Sequence, residues 1–139
     1  MKVRKQTVRK KKTVPSLNEV IIQAIYDKKG ANIITLDLSD IADAPTDYFI
    51  ICDADNTTQV KAIAENIALH TQEAANEKPW HFEKSNNMEW LLIDYVNTVV
   101  HVFLDETRQF YQLEELWNDG ILTEHKEQKT VIKPIKRKK

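Results

Sequence analysis

The chain is short of the residues on which several common kinds of site depend. Its one cysteine, Cys52, among 139 residues excludes an internal disulfide and a zinc ribbon, and a reducing cytoplasm is the expected compartment. Gly30 and Gly120 are its two glycines, and neither stands in a loop where backbone amides could close around a phosphate. No apolar run approaches the roughly 20 residues of a membrane-spanning helix. The basic N-terminus is not followed by the hydrophobic stretch of a secretory signal. The expectation is a cytoplasmic protein without a membrane partner.

Positive charge is scarce as well, but only in the middle of the chain. The formal net charge of −1 conceals a sharp segregation. Residues 1–12 hold seven cations and no acid, and residues 126–139 hold seven cations and the single acid Glu127. The 113 residues between them set Lys28, Lys29, Lys61, Lys78, Lys84 and Arg108 against 20 carboxylates, a balance of −14. The organisation expected is a basic, disordered tail over 1–14, one domain over 15–120, and a second basic, disordered tail over 121–139. An acidic body repels nucleic-acid phosphate and attracts cationic protein, and the tails do the reverse. Such a molecule suits a ribonucleoprotein, where both kinds of surface lie close together. Charge runs of this kind also serve simply to keep a protein in solution.

Along the body, Ser16 and Glu19 form a capping box, followed by Leu17, Val20, Ile21, Ala24 and Ile25 at helical spacing. Gly30 stands where a helix end favours positive φ. Strand-like runs follow at 32–38 (NIITLDL) and 48–52 (YFIIC), the second apolar throughout and so read as a central strand buried on both faces. The nine-residue connection between them is too short for a helical crossover, which predicts an antiparallel pair. Asp55 or Asn56 can cap a helix reaching Ala75, with Val60, Ile63, Ala64, Ile67 and Ala68 as its stripe. A short strand at 80–83 and a hairpin of 90–95 with 98–104 come next. Asp105 can cap a last helix whose core side is Phe110, Leu113 and Leu116 or Trp117. The fold class is mixed α/β: a single domain with one central sheet of about five strands and flanking helices.

Three arrangements of chemistry-bearing residues deserve weighing. Asp53 and Asp55 form a D-x-D pair at a strand end, as Mg²⁺-dependent nucleotidyltransferases use. No glycine loop accompanies them, and a helix cap plus a polar strand end explains both. His101 stands mid-strand and reads as a hydrogen-bonded histidine packed in the sheet, with nothing to show that it approaches the Cys52 thiol. Residues 90–117 carry five carboxylates and one cation, Arg108, with a tryptophan at each end. Trp90 reads equally as a core residue opening a strand or as an interface anchor. Its acidic neighbours Glu89, Asp94, Asp105 and Glu106 favour the anchor, since a polar rim around an apolar centre is how interfaces are built.

Five blocks carry a family resemblance: TDYFII at 46–51, QVKAIA at 59–64, WLLIDY at 90–95, VVHVF at 99–103, and FYxLExLW at 110–117. In order and spacing this pattern, over about residues 17–117, resembles the ribosomal silencing factor family, also called Iojap-like. The resemblance implies a nucleotidyltransferase-like topology and no known enzymatic activity, and no metal or cofactor is expected. It implies a translational repressor that binds the large ribosomal subunit through ribosomal protein fourteen of that subunit. Occupying that site blocks joining of the small subunit when nutrients are scarce.

By position, the resemblance assigns partner binding to Trp90 and to Tyr95, the residue after the motif's Asp94. The residues expected to meet the partner are then Trp90, Tyr95, Asp94, Asp105, Glu106 and Arg108. Beside rRNA, Lys10, Lys11, Lys12, Lys136, Arg137 and Lys138 would add a contact independent of sequence. A homodimer is an open state for the free protein. The rival readings are a metal-dependent nucleotidyltransferase using Asp53 and Asp55, and an RNA-binding adaptor working through the tails.

The sequence departs from the family pattern in three places. Val96-Asn97 stands where Gly-Asp is usual in the hairpin turn, and DADNTT at 53–58 replaces a stretch holding a glycine and an arginine. Strand alternation also places Trp90 and Tyr95 on opposite faces of the sheet, so both reach one partner only if a twist re-aims Tyr95.

Overall fold

The computed structural model describes residues 16–126. The six lysines and arginines named for the tails lie outside them. Chain order is α1 (Leu17–Asp27), β1 (Ala31–Asp37), β2 (Tyr48–Ala54), α2 (Thr57–Ala75), β3 (His81–Lys84) and β4 (Trp90–Asp94). It continues with β5 (Thr98–Leu104), α3 (Asp105–Tyr111), α4 (Leu113–Leu116) and β6 (Ile121–His125). The strands form one mixed sheet in the order β3-β4-β5-β2-β1-β6. β2 and β5 pair in parallel at its centre, and every other pair is antiparallel, including β1–β2 and the β4–β5 hairpin.

The two faces of the sheet are covered unequally. Ile21, Ala24 and Ile25 of α1 and Val60, Ile63, Ala64 and Ile67 of α2 pack on Ile33, Ile50, Cys52, Leu91, Ile93, Val100 and Val102. This face is closed by two long helices. The opposite face gathers Ile34, Leu36, Phe49, Ile51, Val99 and Phe103 with Leu38 and Leu113, and Trp90, Leu92 and Trp117 pack at its border only partly buried. Its cover is the seven residues of α3, the four of α4 and the connection carrying Ile41 and Ala44.

Local chemistry accounts for most of the boundaries. α1 starts with the reciprocal Ser16–Glu19 capping box. α2 is capped by Asn56, whose side chain accepts from the Gln59 N–H at 2.9 Å, not by Asp55. Asp105 lies in the first turn of α3 and makes no cap; there it still faces the positive end of the helix dipole.

Four expectations change. The sheet has six strands, since β6 adds to the edge of β1, and the fold runs past the boundary expected at residue 120. β6 is exposed on both sides along most of its length, so it lacks the alternation that would mark it. Gly120 admits it, because a Cβ there would meet Leu38 Cδ2 at 2.7 Å and the Asp37 carbonyl oxygen at 3.0 Å. The helix expected over 105–117 breaks at Gln112, which takes φ 46°. Past α1 the positive φ belongs to Lys29, at 63°, and not to Gly30, whose missing side chain instead makes room for Ile25.

Val96 carries the clearest backbone strain. It occupies the β4–β5 turn with φ 78° and an exposed side chain, although a β-branched residue strongly disfavours positive φ. The turn is held by the Val96 N–H donating to Asp94 Oδ1 at 2.7 Å and by Thr46 Oγ1 donating to the Val96 carbonyl at 2.8 Å. Both bonds use the backbone of Val96 and survive its replacement. Val96→Gly should therefore stabilise the fold by about 1 kcal/mol. Urea unfolding checks this, and an unchanged or lower midpoint would show that the turn holds no strain.

Candidate partner-binding face

Trp90 opens β4 on the less covered face. The turn before it fixes its backbone: the Ser85 hydroxyl accepts from the N–H groups of Glu89 and Trp90, and the Ser85 N–H returns a bond to the Trp90 carbonyl. Pairing sets Trp90 opposite Phe103, Leu92 opposite His101 and Asp94 opposite Val99, all on one side. The indole lies tilted against the Phe103 ring at 4.7 Å and the Tyr111 ring of α3 at 4.9 Å. Its Nε1–H donates to His101 Nδ1 at 3.1 Å. Beside it runs a groove of about 410 Å³ lined by Glu83, Lys84, Ser85, Trp90 and Leu92.

His101 is what orients that indole. It is buried, with its ring edge-on to Phe49 at 4.7 Å. Accepting at Nδ1 places the ring proton on Nε2, a buried atom with no hydrogen-bond partner among the described residues. Burial pushes its pKa down from 6.5 to about 3, so the ring stays neutral at ordinary pH. The expectation of a hydrogen-bonded histidine packed in the sheet agrees with this. Cys52 lies on the other face in the α1–α2 core, where burial pushes its thiol pKa up. The two cannot form a nucleophile–base pair.

Among the other residues expected at the interface, Asp94 shares the Trp90 face, half-buried, with its Oδ1 engaged by the turn at Val96. Asp105 accepts from Gln109 Nε2 at 2.9 Å, and Glu106 is exposed. Tyr95 and Arg108, the remaining two, are buried. Tyr95 is 6% exposed, belongs to the α1–α2 core and bonds the Thr71 hydroxyl at 2.7 Å. Strand alternation holds, and no twist brings Tyr95 round to Trp90.

Arg108 is 8% exposed and reaches beneath α3. It donates to the Asn32 carbonyl, to Asp53 Oδ2 at 3.0 Å and to Glu114 Oε2 at 3.4 Å. Burial raises the Asp53 pKa against the pull of Arg108 and Asn32. That carboxylate is thus engaged inside the protein, while Asp55 stands exposed at the start of α2. The D-x-D pair is not poised as a two-ligand metal site.

Leu92 and Phe103 share this face, as alternation from Trp90 requires. Phe110, expected on the core side of its helix, is exposed.

The chain is similar to proteins of one family. The family model described as ribosomal silencing factor during starvation matches residues 11–139. The ribosomal silencing factor RsfS of Halalkalibacterium halodurans is 35% identical over 104 residues, 75% of this chain and 87% of that protein. RsfS of Bacillus subtilis is 34% identical over 112 residues, 78% of this chain and 91% of that protein. A crystal structure from Chromobacterium violaceum superposes with a TM-score of 0.69 at 33% identity, covering 73% of this chain and 83% of that one. The chain belongs to the ribosomal silencing factor family.

Members of this family are regulators of translation, a role that involves no catalysis. Among the described residues no helix is long and apolar enough to cross a membrane. Trp90, Leu92 and Tyr111 together form a partly exposed apolar surface on the less covered face.

Because His101 orients Trp90 and stays neutral, it links stability to pH. Below pH 6.5 an unfolded histidine binds a proton that the folded His101 refuses until about pH 3. Its stabilising contribution is complete above that window and is lost on acidification at about 1.4 kcal/mol per pH unit. Urea unfolding between pH 6 and pH 4 should show this slope, and His101→Gln should flatten it by about one proton. Equal slopes in the two proteins would place the acid sensitivity elsewhere.

Proposed function

We propose that this silencing factor represses translation by docking on the large ribosomal subunit, through ribosomal protein fourteen of that subunit, and sterically excluding the small subunit. The observation that carries the reading is the incompletely covered aromatic face around Trp90, set in a body whose described acids far outnumber its cations. A tryptophan held in place by a buried histidine and flanked by a groove is preorganised as an anchor, so little side-chain entropy is lost on docking. Its acidic setting suits a basic ribosomal protein of the cytoplasmic ribosome and disfavours bare phosphate. Repression then needs no chemistry, only a rigid domain occupying the joining face. The engaged Asp53 carboxylate argues against the nucleotidyltransferase reading.

Tyr95 takes no direct part in this reading, since its ring and hydroxyl are committed to the core. Trp90→Ala should keep the fold and weaken large-subunit binding by on the order of thirtyfold, as truncation of an interface anchor costs about 2 kcal/mol or more. Tyr95→Phe should bind normally and lose only about 1 kcal/mol of stability with the Thr71 bond. Co-sedimentation with purified large subunits, light scattering of subunit joining and thermal melting read all three quantities. Normal binding and repression by a folded Trp90→Ala protein would remove the reading.

A further inference from the structure

Two of the most exposed large apolar side chains among the described residues sit on the α3–α4 segment, Phe110 at 80% and Leu116 at 73% exposure. One continuous helix would have turned them toward the sheet. The left-handed Gln112 resets the phase, so Arg108 and Leu113 turn inward and Phe110 and Leu116 turn out. A lone exposed phenylalanine means little. Here Trp90, Tyr111 and Phe110 stand ring by ring, at 4.9 and 5.0 Å. The aromatic surface thus runs unbroken from the groove at Trp90 to the outer side of α3.

The charge along this segment has one sign. Glu106, Glu115 and Asp119 are exposed, and the segment's one cation, Arg108, is buried against Asp53 and Glu114. An apolar ridge with an acidic rim and no displayed cation selects its occupant. RNA would bring phosphate of the same sign as the rim. A second copy of the chain, joined through a two-fold axis, would press one acidic rim against another.

Resting on the docking reading above, we infer that Phe110 and Leu116 form a second anchor of that interface. It takes a basic protein surface presenting an apolar side chain between lysines or arginines. Trp90 fills the centre of the contact, and the α3–α4 ridge fixes how the domain is turned about it.

The test uses the full chain. Phe110→Ser with Leu116→Ser should leave the melting temperature unchanged and weaken binding to purified large subunits by roughly tenfold or more. Glu106→Lys with Glu115→Lys, which replaces two exposed carboxylates, should weaken binding more at low salt than at high salt. It reads the same surface if the first variant is unstable.

If Trp90→Ala loses binding and both of these double variants keep it, the second anchor is wrong and the docking reading stands. If none of the three loses binding, the docking reading itself fails. Naked rRNA from the large subunit retained by the parent and released by Phe110→Ser with Leu116→Ser would reassign the ridge to nucleic acid. Self-association lost in that variant with subunit binding intact would reassign it to a second copy. Protection of Phe110 from hydroxyl-radical oxidation in the free chain would reassign it to the chain's own basic ends.

Discussion

Successive side chains of a strand leave a sheet on opposite faces, and β2 and β5 are buried on both. Their parallel pairing at the centre obliges the chain to cover the sheet twice. On one side α1 and α2, of 11 and 19 residues, cover β1, β2, β4 and β5. The other side falls to α3 and α4, of 7 and 4 residues, with the connection after β1. Elements so short cannot roof six strands. Aromatic rings fill the gap over β4 and β5, and the surface that remains is apolar without being part of a closed core. The difference in helix length between the two faces is therefore what creates a place for a partner.

Arg108 maintains that difference. Its guanidinium ties α3 to the start of β1 through the Asn32 carbonyl, to the end of β2 through Asp53, and to α4 through Glu114. A forked, always-charged donor suits three acceptors on three elements. Such a buried pair adds little net stability, but losing one member would strand the other's charge at several kcal/mol. Its burial also withholds the segment's cation from the surface, so the acids around Phe110 and Leu116 face outward unneutralised. One ion-pair network thus both fixes the short helices and sets the sign of the exposed face.

The parts of this arrangement governed by periodicity were legible in the sequence. The apolar runs of β2 and β5, the stripes of α1 and α2, the capping box at Ser16 and the antiparallel β1–β2 pair follow from spacing alone. The parts governed by a single backbone angle were not. Gln112 at φ 46° and Val96 at φ 78° carry no residue signature of a left-handed turn, yet the first turns Phe110 from core to surface. β6 escaped notice because an exposed edge strand lacks alternation. Tyr95 and Arg108 have ambiguous chemistry, each joining a long apolar body to a polar tip, so either suits a core or an interface. The resemblance assigned Tyr95 to the partner, whereas alternation from Trp90 put it on the far face; the structure follows alternation.

The decisive property is which face of the sheet meets the ribosome. A cryo-EM reconstruction of the chain bound to the large subunit measures this directly. Trp90, Leu92 and the outer side of α3 are expected to lie against a basic protein of the joining face, with α1 and α2 turned away. Helices α1 and α2 packed against the subunit, with Trp90 open to solvent, would contradict this placement.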